Sequence, residues 1–234
     1  MMRRSMVPVL LAVVALLATA CGGGGDKEKA SAGGQEPLVG LFRLTPGTCA
    51  DAGVTSGTYF RMIQPGGKLG EGPYVPNGDS SCGDKTWSPM TPGTDGGLRT
   101  GAFQPQASQP FDAGGNGVSN KIAQPTKWFA VTYSVATNES DPQTNTKAKQ
   151  PEIYVKDGQL SGDLSAYAAA WNGQHFNQGS PKPGGQRPGL TTGPTGKYDS
   201  KAKKFTLEWT SQIVGGPFNN FTGTWHFEGI FEKA

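Results

Sequence analysis

Acid–base chemistry needs carboxylates or imidazoles held close together, and this chain has only two histidines to offer, His175 and His226. His226 and Glu228 are two residues apart in the C-terminal run 221–232, and Glu208 lies in the preceding run 204–213. In an extended chain, residues two apart share a face. If loop 214–220 is a simple hairpin pairing Ile213 with Phe221, Glu208 falls opposite His226 and Trp209 opposite Trp225. Glu208, His226 and Glu228 then share one outer face, with the aromatic pairs on the other. Two carboxylates can cleave glycosidic bonds and an imidazole moves protons near neutral pH, so these three are the candidate catalytic residues. The wet face of any half-buried antiparallel sheet displays similar residues.

Other chemistries find less support. No Gly-x-Ser-x-Gly elbow is present, and neither are the phosphate-loop or dinucleotide fingerprints. Asp112-Ala-Gly-Gly-Asn-Gly has Gly114 where a calcium loop wants an oxygen ligand, so it reads as a plain turn. No metal ligand set and no cofactor are expected. Recognition has better material: Trp87, Trp171 and His175 lie beside Gly, Pro, Asn and Asp, as in Trp171-Asn-Gly-Gln-His-Phe-Asn-Gln-Gly-Ser. Loops on a rigid sheet are where binding groups usually sit, and exposed aromatics beside amides can stack on sugar rings. The alternative is that both tryptophans pin long loops to the core.

The N-terminus has a separate logic. Arg3 and Arg4 precede an apolar run, 6–18, that stops at Thr19-Ala20-Cys21. This is the layout of a secretion signal, and the run is shorter than the roughly twenty residues a spanning helix needs. Four glycines and a polar stretch follow Cys21 and read as a flexible tether. Together they resemble the bacterial lipobox and its spacer, although Ala18 stands where Leu is usual. The resemblance implies cleavage after Ala20 and a diacylglycerol on the Cys21 thiol. Residues 1–20 are therefore expected to be the signal, 21–35 a tether of roughly 20 Å root-mean-square span, and 36–234 one extracytoplasmic domain at the outer face of the cytoplasmic membrane.

Removing 1–20 takes away Arg3 and Arg4, leaving 19 basic against 18 acidic residues. Nothing in that balance points to nucleic acid; the nearest basic cluster, Lys197, Lys201, Lys203 and Lys204, reads as a solvated strand entrance. With Cys21 acylated, Cys49 and Cys82 remain, and an oxidising compartment lets them close a disulfide. No Cys-x-x-Cys spacing supports a metal or redox site instead.

These groups must be positioned by strands. The 36 glycines and 18 prolines are spread along the chain, which disfavours long helices. Alternating or β-branched and aromatic runs predict strands at 57–64, 128–137, 153–156, 159–165, 204–213 and 221–232. Asp157-Gly158 predicts a two-residue hairpin turn and Asn172-Gly173 another; 165–171, with three alanines, is compatible with a helical turn as well as a strand. Segment 64–124 shows no convincing pattern, and sixty structureless residues are too many for one connection, so it is expected to hide further elements.

From Asp163-Leu-Ser through Trp171-Asn-Gly to Leu207-Glu-Trp-Thr-Ser-Gln-Ile-Val-Gly-Gly-Pro-Phe-Asn-Asn-Phe-Thr-Gly-Thr-Trp-His-Phe-Glu-Gly, the chain resembles a group of exported actinobacterial lipoproteins that carry no assigned activity. Its last third is also distantly similar to β-rich domains of surface-anchored bacterial proteins. These resemblances imply location and a β fold; they supply no catalytic residue. The sequence thus leads to an all-β, antiparallel, sandwich-like or barrel-like domain with long Gly/Pro-rich loops and one disulfide. The expected role is non-catalytic binding of an envelope or extracellular ligand, a cell-wall glycan or an envelope protein. A cell-wall or polysaccharide hydrolase and a structural or protein-docking lipoprotein are the alternatives.

Overall fold

The computed structural model describes residues 34–234, so the expected signal, Cys21 and most of the expected tether lie outside the described residues. Seventeen strands follow in chain order: β1 (Glu36–Pro37), β2 (Gly40–Leu44), β3 (Thr48–Ala50), β4 (Gly53–Ser56), β5 (Tyr59–Lys68), β6 (Gly72–Tyr74), β7 (Ser88–Pro89), β8 (Gly97–Arg99), β9 (Thr126–Trp128), β10 (Val131–Thr137), β11 (Glu152–Lys156), β12 (Gln159–Asp163), β13 (Tyr167–Trp171), β14 (Gln174–Asn177), β15 (Thr192–Asp199), β16 (Lys204–Gln212) and β17 (Thr222–Lys233). There is no helix among the described residues, and the fold is all-β and antiparallel, as the breakers and alternation predict.

The large sheet runs β1-β11-β12-β15-β16-β17-β2-β8 and forks at β17. One edge of β17 pairs with β16 along its length; on the other edge, 222–226 pair with β5 and 229–233 with β2. The expected hairpin register is present, with Glu208 opposite His226 and Trp209 opposite Trp225. A smaller sheet, β14-β13-β10-β9, faces the large one. Tyr167 of β13 meets Trp209 and Trp225 edge-on, each with ring centroids 5.0 Å apart, and Tyr133 of β10 meets Phe60 of β5 at 5.5 Å. Alternation in β16 and β17 sends Leu207, Trp209, Trp225 and Phe227 into this seam, all at most 2% exposed. Large aromatic side chains thus make up for a sequence poor in aliphatics.

Three expectations about elements change. Run 128–137 is not one strand but a hairpin, turning at Phe129 and Ala130 with φ of 51° and 63°. Neither residue is a turn former, so the sequence carries no signal there; the Asp79 carboxylate accepts the Ala130 N–H at 2.6 Å and helps hold the turn. Residues 165–171 resolve to strand β13. Segment 64–124 contains the end of β5, all of β6, β7 and β8, and the internal bridge Phe111↔Gly117; the bridge Gln104↔Thr137 and the Gly117 N–H to Thr132 O bond at 2.9 Å lay it against β10 of the small sheet. That cover explains how Ala168 and Ala170, on the face of β13 away from the seam, are also buried. Strands β1 to β4 and β15 went unread because they are short or broken by Gly and Pro.

Cys49 of β3 and Cys82 are joined in the disulfide that the cysteine count predicts, with Cα atoms 5.0 Å apart. The bridge ties loop 75–87 to the β3–β4 hairpin. Backbone packing reinforces it: Asp84 N–H donates to Asp51 O at 3.0 Å, and Gly53, at φ 124°, lies so close to the Trp87 indole that a Cβ would come within 2.4 Å of Nε1.

Candidate ligand-binding cleft

The outer face of the large sheet carries two rows of side chains across four strands. Register aligns Arg61, Thr224, Thr210 and Thr192 in one row, and Tyr59, His226, Glu208 and Thr195 in the next. At about 4.8 Å per strand each row spans roughly 14 Å, and two residues along a strand separate the rows by roughly 7 Å. The β5–β6 hairpin, with Leu69 and Gly70 at its tip, and Tyr74 of β6 wall this floor into a cleft of about 380 Å³.

The floor centres on His226. Its Nδ1 lies 2.6 Å from Glu208 Oε1 and its Nε2 3.7 Å from Glu228 Oε2, while the Tyr59 ring stacks on it at 4.6 Å with a 7° tilt. The hydrogen bond from His226 holds the Glu208 carboxyl below the usual carboxylate range. Burial, followed by the nearby Glu208 charge, pushes the Tyr59 phenol up to about 12, so it stays a neutral ring. Glu228 also accepts the Gly57 N–H at 3.0 Å. Gly57 can present that N–H because its φ is 80° and a Cβ there would collide with Pro46 O.

The hydroxyl protons of Thr192, Thr210 and Thr224 are spent on the protein. Thr224 donates to Arg61 O at 3.2 Å, Thr210 donates to Leu190 O, and Thr192 therefore supplies the proton of the 2.9 Å Thr192–Thr210 contact. Thr192 and Thr224 keep lone pairs, as does the outer oxygen of Glu208. The floor is thus biased toward accepting hydrogen bonds from whatever lies on it.

The wall is a stack. The Arg61 guanidinium lies 3.4 Å from the Tyr74 ring centroid and 4.1 Å from the Trp87 ring. Trp87 in turn donates its indole N–H to Asp84 at 2.9 Å and meets Tyr59 edge-on at 4.7 Å.

Structure brings some of the sequence-derived candidates together and separates others. Glu208, His226 and Glu228 are contiguous, and Trp87 joins them through Tyr59. Trp171 lies elsewhere: its indole N–H donates to Trp128 O at 2.8 Å and Val131 O at 3.2 Å, in the seam between the sheets. His175 pairs with Ala170 and so points to the opposite face from Trp171, against Phe111 at 5.0 Å. The two are neighbours in sequence only. Sequence reasoning missed Tyr59, Arg61, Tyr74 and the four threonines; Tyr59 and Arg61 alternate with buried Phe60 and Met62, but nothing local says which strands lie alongside.

Two other spaces are less suited to a ligand. The seam around Trp128, Trp171 and Phe218 leaves only about 30 Å³. A second surface cleft of about 350 Å³ holds Asp141 and Lys182, but their groups are already engaged: Lys182 Nζ donates to Asn177 O at 2.8 Å and Ser211 Oγ at 2.7 Å, and Asp141 accepts from Thr144 N and Oγ1. Asp112, the rejected calcium position, accepts from Gly114 N and Asn116 N in a local turn.

Fold and site together define an all-β, disulfide-stapled domain with a polar, aromatic-walled cleft on one sheet. Comparison with protein-family models, curated proteins and solved structures finds no match to the chain.

Proposed function

We propose that the protein is a lipid-anchored extracytoplasmic binding protein whose cleft takes a hydroxyl-rich ligand, a glycan of the cell envelope. The observation that carries this reading is the two-row floor, rich in hydrogen-bond acceptors, beside the ring stack of Tyr59, Trp87, Arg61 and Tyr74. Sugar hydroxyls are donors that such acceptors satisfy, and the rings give the cleft an apolar border for sugar C–H groups. The lipobox-like N-terminus supports the anchor, and the Cys49–Cys82 disulfide fits an oxidising compartment.

Hydrolysis is the second reading, favoured by the contiguity of Glu208, His226 and Glu228. Binding is preferred for a geometric reason. Nδ1 of His226 is taken up by Glu208 at 2.6 Å, and the imidazole is only 14% exposed, packed under the Tyr59 ring. Glu228 is turned toward Gly57 N–H, which leaves Glu208 as the carboxylate open to the cleft, whereas glycoside cleavage needs two. The test is to mix the full-length protein in detergent with purified cell wall, scoring bound fraction and released reducing sugar. Binding without release, weakened by Thr224→Val and Glu208→Gln, is expected. Release that disappears in Glu208→Gln would transfer the assignment to a hydrolase.

A further inference from the structure

Arg61 is an unusual component of a cleft wall. Two aromatic rings pack against its guanidinium, and its N–H groups are its route to hydrogen bonds. Of five donors, one is given to Thr86 Oγ1 from Nη2 at 2.9 Å and Nε is buried without a partner, which leaves the other three, on Nη1 and Nη2, as the ones a ligand could take up. Among the described residues no carboxylate forms an ion pair with Arg61; the Asp84 carboxylate acts on it at longer range while accepting from Trp87 Nε1 and Thr86 N. The result is a half-buried cation, fixed in orientation by two rings, with donors unspent beside an open cleft.

A half-buried charge with no carboxylate in direct contact, only Asp84 at longer range, loses hydration that a well-placed anion restores, and a guanidinium fork matches a planar carboxylate bidentately. Because Tyr74 and Trp87 already hold the side chain in place, little rotamer freedom remains to be lost when such an anion arrives. The floor has the opposite bias, accepting from hydroxyls at Glu208, Thr192 and Thr224. Resting on the glycan reading above, we infer that the ligand is an acidic saccharide, whose carboxylate is received by the Arg61 edge while its hydroxyls donate to the floor. Placing the carboxylate in the Arg61 row keeps it two strands away from Glu208, so the cleft sets the polarity with which the sugar lies across the sheet.

The test is calorimetric titration of the full-length protein in detergent with a galacturonate trisaccharide and with its fully methyl-esterified, uncharged counterpart. The acid is expected to bind at least about tenfold more tightly, as befits a charge-assisted bidentate contact. The gap should narrow with added salt, close in Arg61→Gln and recover only in part in Arg61→Lys. Equal binding of acid and ester overturns the acidic-ligand inference and leaves the glycan reading standing; binding of neither overturns both. Inorganic phosphate that binds as tightly as the acid trisaccharide also overturns the inference, because the saccharide body would then contribute nothing. The acid-to-ester comparison on the unaltered protein decides the matter even if Arg61→Gln fails to fold.

Discussion

At the scale of single residues, the buried polar groups separate support from function. Lys182 is the clearest support: burial pulls its ammonium down to about 8, against only partial relief from Asp141. A lysine with a lower pKa folded than unfolded opposes folding while it must stay charged. The folded state binds fewer protons between about pH 8 and the ordinary lysine range, so this group's contribution to stability rises with pH across that window. Melting temperature should therefore climb from pH 8 toward pH 10, and the climb should shrink in Lys182→Met, as followed by circular dichroism. Above pH 10 the buried tyrosines act the other way, since their raised values favour the neutral ring in the fold and stability is lost as they ionise. Trp171 is the second case. Truncation to Ala empties aromatic volume from the seam and strips both carbonyls of their donor, so Trp171→Ala should lose about 3–5 kcal/mol in denaturant melts and leave ligand affinity at the Arg61 cleft unchanged.

At the scale of elements, the cleft depends on a loop that no sheet hydrogen-bonds along its length. Trp87, Asp84 and Thr86 all lie between the disulfide at Cys82 and β7, and they hold one side of Arg61. The closed loop of about 34 residues gives a stabilisation of roughly 3–4 kcal/mol on the chain-entropy account. Cys49→Ser with Cys82→Ser should lose about that much, and should also raise acrylamide quenching of Trp87, read as the difference from a Trp87→Phe control. Gly53→Ala tests the same contact from the other side. Its added Cβ meets the indole and its φ is unfavourable for any side chain, so a loss of about 1–3 kcal/mol and weaker ligand binding are expected. Much of the floor was legible beforehand: the alternation of 204–213 and 221–232 put Glu208 beside His226, because one face must be buried and register follows from that. Arg61 and Tyr59 were legible as outward residues of a strand but not as neighbours of His226. Their pairing spans more than 160 residues of sequence, and no local pattern encodes so distant a partner.

At the scale of the whole molecule, the proposed anchor places the cleft near a surface. If Cys21 carries lipid, a fatty-acid probe should label the protein in its native host, and Cys21→Ala should abolish both the label and sedimentation with membranes. Equal labelling of Cys21→Ala would remove the anchor while leaving the cleft as described. The forked sheet explains how one modest domain supports both a dry aromatic seam and a wet cleft: β16 and β17 have Trp209, Trp225 and Phe227 on one side and Glu208, Thr224 and His226 on the other. Each strand serves both, one face to the seam and the other to the cleft.

Residue chemistry and short-range periodicity in the sequence were enough to determine the all-β class, the Asp157-Gly158 turn, the C-terminal hairpin register and the Cys49–Cys82 pair. Breakers, alternation and cysteine number act locally or by elimination, so they can be read without coordinates. Tertiary structure alone decided the fork at β17, the layer that segment 64–124 lays over the small sheet, the place of Trp171 in the seam, and the packing of Arg61 against Tyr74 and Trp87. Each of these depends on which surfaces meet across long stretches of chain, and that choice is made by packing the whole core at once.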